Sequence, residues 1–238
     1  MKKTMQYAVV TGATQGIGKA IAERLLKEGF SVAICARNEQ DLRNLQTDWA
    51  RQYPHAKVLC VTADFSKHED VLLFAAEVTA NFPQVDILVN NAGIFIPGLL
   101  AEEPEGLLET LMQVNLYSAY HLTRTLLPDM KAKGSGHIFN MCSVASLKSY
   151  PNGGSYSISK YALLGFSENL REELKNDNIK VTAVCPGATN SRSWEGSGIP
   201  EERIMAPEDI ANMLWAAYTL SAQADVELLV MRPLKGDL

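Results

Sequence analysis

The sequence has little of what membrane-spanning, metal-binding and nucleic-acid-binding proteins require. No run of residues approaches the roughly 18 consecutive apolar side chains of a membrane span. The histidines, His55, His68, His121 and His137, are not grouped at the spacings of metal ligands, so we predict no metal site. The net charge of −5 disfavours binding to nucleic acid or to an anionic membrane.

Cysteine is also scarce and forms no paired motif. None of the four cysteines, Cys35, Cys60, Cys142 and Cys185, belongs to a C-x-x-C motif, and each lies within an apolar run. We predict that they are small buried hydrophobic residues in a protein of the reducing cytoplasm. The basic residues 1–3 precede only a short apolar run, which predicts a strand and not a signal peptide.

The chain does contain a regular alternation of apolar, strand-like runs and amphipathic helical patterns over its 238 residues. Strands separated by helices form βαβ units, so we predict an α/β fold with a three-layer, doubly wound parallel sheet of about seven strands. No boundary or repeat interrupts this alternation, which predicts one domain over residues 1–238. Ligands bind such sheets at the carboxyl ends of the strands, where this sequence places its polar clusters.

The first strand-like run, Tyr7–Thr11, ends in a glycine-rich segment, residues 12–18, that leads into a helical pattern. Glycines let backbone N–H groups approach a dinucleotide pyrophosphate, and the start of the helix favours its negative charge. The spacing is G-x-x-x-G-x-G and not G-x-G-x-x-G, so a plain strand-to-helix turn is the alternative.

The ends of the second and third strands bear on the choice of cofactor. The second strand ends at Ala36-Arg37, and the first acid follows only at Glu39. An arginine at this point suits the 2′-phosphate of NADP, whereas an acid suits the ribose of NAD; a solvated arginine at a helix start is the alternative. Asp64, after the third strand, could accept a hydrogen bond from adenine or cap the next turn.

Tyr156 and Lys160 lie four residues apart in a long helical pattern and therefore share a helix face. An ammonium group beside a phenol lowers its pKa and prepares it for proton transfer, although most such pairs are solvated helix faces. Asn115 lies inside another helical region, where it predicts either a local kink or a widened turn that frees a backbone group to hold water.

A loop near residues 188–206 lacks periodicity and predicts a lid or binding loop above the sheet. We expect the substrate pocket to be lined by residues 94–98, 144–152 and 188–205. Phe95, Ile96, Tyr150 and Trp194 would make it partly apolar, with packing on the domain surface as the alternative for Trp194.

These segments together resemble the short-chain dehydrogenase/reductase family over nearly the whole chain. The matching motifs are T-G-A-T-Q-G-I-G at 11–18, N-N-A-G at 90–93, Asn115, Ser143, Y-S-I-S-K at 156–160 and P-G at 186–187. The resemblance implies a Rossmann fold that binds NAD or NADP and moves a hydride between the nicotinamide and a carbonyl or alcohol carbon. Within this family the sequence most resembles the 3-oxoacyl-acyl-carrier-protein reductases and related carbonyl reductases.

The resemblance also implies a role for each matching residue. Tyr156 would be the general acid, Ser143 would orient the carbonyl oxygen, and Lys160 would bind the nicotinamide ribose and lower the pKa of Tyr156. Asn115 would hold a water molecule in a proton relay. The implied NADP(H) contacts are Gly12, Thr14, Gln15, Gly16, Ile17, Gly18, Arg37, Asp64, Phe65, Asn91, Ala92, Gly93, Tyr156, Lys160, Pro186, Gly187 and Thr189.

The sequence departs from the family pattern after Pro186-Gly187, where either Thr189 or Ser191 could contact the nicotinamide amide. Lys131 and Lys133 could contact an acyl carrier protein, whereas Asp177 stands where the resemblance implies positive charge, which argues against that partner. The resemblance implies a homodimer or homotetramer formed through the helices after strands four and five, with apolar faces in residues 107–126 and 163–174.

Three functions remain open at this point. The first is reduction of a carbonyl compound by NADPH, and the second is the same chemistry in the oxidative direction. The third, from a different class, is a nucleotide-sensing regulator without turnover, because a fold alone does not imply catalysis. The complete set of Asn115, Ser143, Tyr156 and Lys160 favours an enzyme.

Overall fold

The computed structural model describes residues 5–191, 196 and 198–238. It contains a seven-stranded sheet in the order β3-β2-β1-β4-β5-β6-β7, and every strand pair is parallel. The strands are β1 Gln6–Thr11, β2 Phe30–Ala36, β3 Val58–Thr62, β4 Ile87–Asn90, β5 Gly136–Met141, β6 Ile179–Pro186 and β7 Leu228–Met231. The predicted doubly wound α/β fold is confirmed.

The helices are α1 Gly16–Lys27, α2 Glu39–Gln52, α3 His68–Asn81, α4 Leu107–Met112, α5 Ser118–Lys133, α6 Gly154–Leu174 and α7 Pro207–Tyr218. A π-helical turn, Gln113–Tyr117, joins α4 to α5 without a break. Pro128 lies inside α5, which continues to Lys133.

Apolar layers cover both faces of the sheet. Ala8 and Val10 of β1 belong to the core that packs against α1 and α7, whereas Val9 belongs to the core that packs against α3 and α5. Side chains alternate between the two faces of a strand, so a strand covered on both faces needs an unbroken apolar sequence. This explains why the predicted strands appear as continuous hydrophobic runs.

The apolar faces expected to pair subunits belong to this core. Leu111, Leu122 and Leu126 are buried in the monomer, as are Leu163 and Leu174. These buried side chains are not available to a partner subunit, and the pairing of subunits through these helices stays a prediction. The large apolar side chains that the same helices leave exposed are Leu108, Tyr117, Tyr120, Ile158 and Tyr161.

The order of the strands places a cleft above the middle of the sheet. The chain adds β2 and β3 on one side of β1 and then crosses over to add β4 on the other side. The loops after β1 and β4 therefore diverge, and a cleft of about 1030 Å³ opens at the carboxyl ends of the strands. No helix among the described residues has the length and apolar character to cross a membrane.

Candidate active site

The predicted site residues meet in this one cleft. Apart from Asn115, every catalytic and cofactor-binding residue named from the sequence lines it. Asn115 is buried behind the wall, where it is 1% exposed. The cleft has two ends, one built on the glycine turn after β1 and the other on Ser143 and the start of α6.

The glycine turn is joined to the end of β4 by Asn91. The Asn91 side-chain amide donates to the carbonyl oxygens of Thr11 at 2.8 Å and Gly12 at 3.0 Å. Gly12 has a φ of 62°, and a Cβ on Gly18 would lie 2.5 Å from the Gly12 carbonyl oxygen. Both positions therefore require glycine, because side chains there would push the turn away from Asn91.

Thr11 holds the same junction from the other side. Its hydroxyl oxygen accepts hydrogen bonds from the backbone N–H groups of Asn91 at 2.9 Å and Ala92 at 2.8 Å. Helix α1 then starts at Gly16 without a side-chain cap, which leaves its first N–H groups directed into the cleft. Such a helix start favours an anionic group.

The adenine end carries one exposed cation. Arg37 follows β2, lines the cleft, and has no hydrogen bond or ion pair to any residue that the structure describes. Asp64 caps the next turn, because its Oδ1 accepts from the Ser66 N–H at 3.0 Å and the Ser66 hydroxyl at 2.8 Å. The bond from the Ser66 N–H lowers the pKa of Asp64, with a smaller contribution from Arg37.

The π-helical turn confirms the widened turn predicted at Asn115. The Asn115 Oδ1 accepts from the Ile94 N–H at 2.8 Å, and its Nδ2 donates to the Ile94 carbonyl at 3.1 Å and to the Ser159 hydroxyl at 2.9 Å. A Cβ on Gly93 would lie 3.0 Å from Asn115 Oδ1 and 3.4 Å from Lys160 Nζ. Asn115 therefore fixes the loop after β4 against α6.

Ser143 and Tyr156 face each other across the catalytic end. Ser143 follows β5 and is 9% exposed, and its hydroxyl oxygen accepts from the Ala145 N–H at 3.1 Å. Burial raises the pKa of Tyr156 to about 12, and a hydrogen bond from Ser143 opposes that rise. The Phe95 ring packs edge-on against the Tyr156 ring at a centroid distance of 4.8 Å.

The Lys160 ammonium is directed to the end of β5 in this structure. It donates to the Met141 carbonyl at 2.8 Å and lies 5.9 Å from the centroid of the Tyr156 ring. Burial raises the pKa of Tyr156 and lowers the pKa of Lys160 itself, and the effect of Lys160 on the phenol stays a prediction. The two side chains share a helix face, as predicted, but the ammonium is directed to the end of β5.

Sequence reasoning missed Glu103, which fixes the start of α6. Its carboxylate accepts hydrogen bonds from the N–H of Ser155, at 2.9 Å, and from the Ser155 hydroxyl. Gly154 has a φ of 43°, and a Cβ there would collide with Glu103. The Gly153-Gly154 pair at the start of the helix was the available signal, because adjacent glycines indicate a close approach of another segment.

The loop after β6 is held at both of its ends. Asn190 N–H donates to the Met205 carbonyl and Met205 N–H to the Ala188 carbonyl, each at 2.9 Å. Thr189 and Ser191 both line the cleft, so the alternative between them stays open. The predicted lining residue Trp194 lies outside the described residues, and Ile96 is exposed and does not line the cleft.

The segment after β7 also reaches the cleft, which the sequence did not indicate. Arg232 and Asp237 form an ion pair there, and a Cβ on Gly187 would lie 3.1 Å from Pro233 Cδ. The sequence of this segment has neither helical nor strand periodicity. Its position beside the cleft is therefore seen only from its packing against Gly187. Among the described residues, no group of three or more histidine, cysteine, aspartate or glutamate side chains could hold a metal ion.

Comparison with known proteins gives a consistent result. The model of the family described as short chain dehydrogenase matches residues 6–199. A sepiapterin reductase of Chlorobaculum tepidum is 30% identical over 97% of both chains. A Thermococcus sibiricus alcohol dehydrogenase complexed with 5-hydroxy-NADP is 29% identical over 97% of both chains, with a TM-score of 0.89. A Gluconobacter frateurii L-sorbose reductase complexed with NADPH and L-sorbose is 28% identical over 97% of both chains, with a TM-score of 0.89.

Proposed function

Because this chain belongs to the short-chain dehydrogenase family, we propose that it is an NADPH-dependent reductase that converts a ketone or aldehyde to the alcohol. The observation that carries the proposal is the meeting of Ser143, Tyr156 and Lys160 in one cleft with the glycine turn and Arg37. The first group supplies proton-donating side chains, and the second suits a phosphorylated dinucleotide. The similar structures complexed with 5-hydroxy-NADP and NADPH support this choice of cofactor.

The residues of the cleft fit NADP(H). The Gly12–Gly18 turn has no side chains at its closest approaches and leads into the uncapped start of α1, where a pyrophosphate would be favoured. Arg37 is exposed at the end of β2 and would hold the 2′-phosphate with its planar set of donors. The reduced nicotinamide supplies the hydride when the cofactor is bound.

The protonation state of Tyr156 suits the role of an acid. Burial raises the pKa of Tyr156 to about 12, so the phenol is protonated at neutral pH and can donate to an oxygen that gains negative charge. The Ser143 hydroxyl would donate to the same oxygen and orient it. The same site would run the oxidative direction in reverse with Tyr156 as the base, so the cellular ratio of reduced to oxidised cofactor sets the direction.

Lys160 and Asn115 would support Tyr156 in its role as the acid. Gly93 leaves the space in which Asn115 and the Lys160 ammonium approach each other. We propose that the ammonium, which here donates to the Met141 carbonyl, binds the cofactor ribose. Asn115 would hold the neighbouring loop and a water molecule of the proton relay.

For the substrate we propose a small carbonyl compound and not an acyl thioester on a carrier protein. Phe95, Val144 and Tyr150 give the cleft a partly apolar wall beside Tyr156. The lysines considered for a carrier protein are both engaged: Lys131 pairs with Asp177 at 2.9 Å and Lys133 with Asp86 at 2.6 Å.

We also propose that the chain forms a homodimer or homotetramer through the exposed apolar side chains of α4 to α6. Tyr117 and Tyr120 border a small groove between α5 and α6, and Tyr161 is exposed on the neighbouring helix. Sedimentation velocity should give a dimer or tetramer. The double substitution Tyr120→Glu and Tyr161→Glu should dissociate this oligomer. Leu73→Glu, at an exposed position of α3, should leave it intact. A monomeric parent protein would refute this proposal.

The four cysteines are free thiols, which supports the proposed cytoplasmic location. Cell fractionation tests it, because recovery of the protein outside the cytoplasm would contradict the proposal.

The decisive experiment measures oxidation of NADPH and NADH over a panel of ketones, aldehydes and sugars, together with binding of each cofactor. We expect turnover of one or more carbonyl compounds with NADPH preferred. Tight cofactor binding without turnover of any compound would favour the nucleotide-sensing regulator. Absence of cofactor binding would refute the proposed function altogether.

A further inference from the structure

Cys142 and Cys185 face each other at the catalytic end of the sheet. The register pairs Met141 of β5 with Val184 of β6 as the last pair of these strands, and Cys142 and Cys185 directly follow it with their side chains hydrogen-bonded to each other. Opposed residues on neighbouring strands have Cα atoms about 4.8 Å apart and side chains on the same face. A disulfide spans Cα atoms about 4.4–6.8 Å apart.

The two thiols belong to one buried cluster and act on each other. Both pack with Ala119, Leu163 and Ala183, and the interaction between the sulfur atoms changes the pKa of each. Cys185 is fully buried and Cys142 is 3% exposed, yet Cys142 lines the cleft. A small solute in the cleft would therefore meet Cys142 first.

The other two cysteines, Cys35 and Cys60, also lie on neighbouring strands, but their thiols do not meet. Cys35 of β2 pairs with Val61, and Cys60 of β3 pairs with Ile34. Their offset of one residue directs the thiols to opposite faces, where they join different cores. Cys35 and Cys60 therefore cannot form a disulfide without moving a strand.

Cys142 is the partner that a solute in the cleft can reach. The hydrogen bond from Cys185 lowers the pKa of Cys142, and the buried Lys160 ammonium favours its thiolate as well. The hydrogen bond with Cys142 and burial raise the pKa of Cys185. A thiolate beside a protonated thiol is the arrangement from which a disulfide forms.

Cys142 lies between two parts of the catalytic end. The preceding residue, Met141, provides the carbonyl that accepts the Lys160 ammonium, and the following residue is Ser143. The chain bends here, because the Cys142 N–H donates back to the Asn140 carbonyl at 2.9 Å beyond the last paired residue of β5. A pull on the Cys142 side chain would therefore displace Ser143 and the acceptor of Lys160.

We propose that Cys142 and Cys185 are an oxidisable pair, and that a hydroperoxide entering through the cleft closes them into a disulfide that switches the enzyme off. The Cys142 thiolate attacks the peroxide, an S–O bond forms as the O–O bond breaks, and with hydrogen peroxide the leaving hydroxide takes up the proton that the Cys142 thiol had released and departs as water. The Cys185 thiol then attacks this sulfenic acid, and the S–S bond forms as a second water molecule leaves. The peroxide is reduced by two electrons and the thiol pair is oxidised by two.

The loss of activity follows from the geometry of the bond. Disulfide Cβ atoms lie about 3.5–4.5 Å apart, which is less than the spacing of neighbouring strands, so Cys142 must move by up to about 1 Å. Misplacing a catalytic group by that distance lowers turnover by about 10²-fold. The glycine turn and Arg37 lie on other strands and should keep their contacts with NADPH, whereas Lys160, Pro186 and Gly187 lie beside the cysteine pair, so affinity for NADPH should fall less than turnover.

The test treats the purified protein with hydrogen peroxide and reads the disulfide by mass spectrometry of peptides, by the number of free thiols and by reductase activity. The first two readings do not depend on the proposed reductase function on which the loss of activity rests. We expect a Cys142–Cys185 peptide, loss of activity and recovery with dithiothreitol, because a strained disulfide is readily reduced.

Two variants are compared, each with its own untreated rate. Cys185→Ser should keep most of its reductase activity after brief peroxide treatment, and dithiothreitol should restore the activity that is lost. Cys60→Ser should be inactivated like the parent protein. Four free thiols after treatment, a Cys185→Ser variant that still forms a disulfide within the chain, or a Cys185→Ser variant that loses activity at the parent's rate and recovers it in dithiothreitol would overturn the proposal.

Discussion

The two ends of the cleft are built from different parts of the chain and are prepared to different degrees. At the glycine turn, backbone groups form the surface, and Asn91 and Thr11 hold them in place with four short hydrogen bonds. At the catalytic end, side chains form the surface. Lys160 donates to the Met141 carbonyl, and Tyr156 has a raised pKa.

This difference indicates where bound cofactor has an effect. The glycine turn has its shape already, so a pyrophosphate would meet preformed donors and require little rearrangement. The Lys160 ammonium donates to the Met141 carbonyl, and it would add or exchange an acceptor if it binds the cofactor ribose as proposed. Four substitutions or conditions test this contrast between the preformed turn and the catalytic end.

The largest effect is expected at Tyr156. Tyr156→Phe keeps the ring that packs against Phe95 and removes the proton that the phenol donates. Turnover should fall by about 10²–10⁴-fold with NADPH affinity nearly unchanged. Single-turnover kinetics and cofactor titration measure the two quantities.

Tyr150→Phe is the matched control for Tyr156, because Tyr150 lines the same cleft. It should lower turnover far less. A Tyr156→Phe variant with turnover near that of the parent would show that the acid is another group.

The next effect concerns the cofactor end. Ala36→Asp with Arg37→Ala replaces the donor for a 2′-phosphate by an acceptor for a 2′-hydroxyl. A charge-assisted hydrogen bond contributes about 1.5–3 kcal/mol, so the preference for NADPH should shift toward NADH by about 10- to 100-fold.

The measurement is kcat/KM for both cofactors at one ionic strength, because salt screens this contact. Arg43→Ala is the control, since Arg43 is equally exposed on α2 but pairs with Glu39 outside the cleft. An unchanged preference in the double variant would remove Arg37 from the cofactor site.

The glycine turn itself is tested by Gly18→Ala. The added methyl group would meet the Gly12 carbonyl oxygen and Asn91, so the turn or β4 must shift. We expect the free energy of unfolding to fall by about 1–3 kcal/mol, with a clear loss of NADPH affinity. Urea unfolding and cofactor titration provide both values.

Gly165→Ala is the matched control, because a Cβ on Gly165 of α6 meets nothing within 4 Å. It should stabilise the protein by about 0.5–1 kcal/mol. Equal destabilisation by both substitutions would show that the close contact at Gly18 is not what matters.

The smallest effect concerns His137, a buried basic side chain outside the cleft. Burial lowers its pKa as it lowers the pKa of Lys160. His137 stacks on Phe139 away from the cleft, and burial lowers its pKa from 6.5 to about 3. The folded protein keeps His137 neutral, whereas the unfolded chain protonates it below pH 6.5. Its contribution to stability is therefore complete above pH 6.5 and is lost as the pH falls toward 3.

Urea unfolding at about pH 7.5 and pH 5 measures this loss, which we expect to be about 1–2 kcal/mol. His137→Gln should make the pH dependence shallower, whereas His55→Gln at an exposed position should not. An identical pH dependence in the parent and in His137→Gln would contradict the assignment to His137.

Local sequence patterns were sufficient for much of this protein. Alternating strands and helices predicted the doubly wound sheet, because burial of both sheet faces demands unbroken apolar runs such as Ala8–Val10. The glycine spacing predicted the turn after β1, since backbone conformation and close approach at Gly12 and Gly18 depend on the absence of a side chain. The position of Asn115 inside a helical pattern predicted either a kink or a widened turn, and the structure has the π-helical turn.

Contacts between distant segments required the tertiary structure. The Glu103–Ser155 contact, the packing of Pro233 on Gly187 and the facing thiols of Cys142 and Cys185 join residues with no common periodicity. The contact of the Lys160 ammonium with the Met141 carbonyl is of the same kind. A shared helix face brings two side chains together, but the Met141 carbonyl at the end of another strand decides where the charge is directed, and burial decides which protonation state Tyr156 adopts.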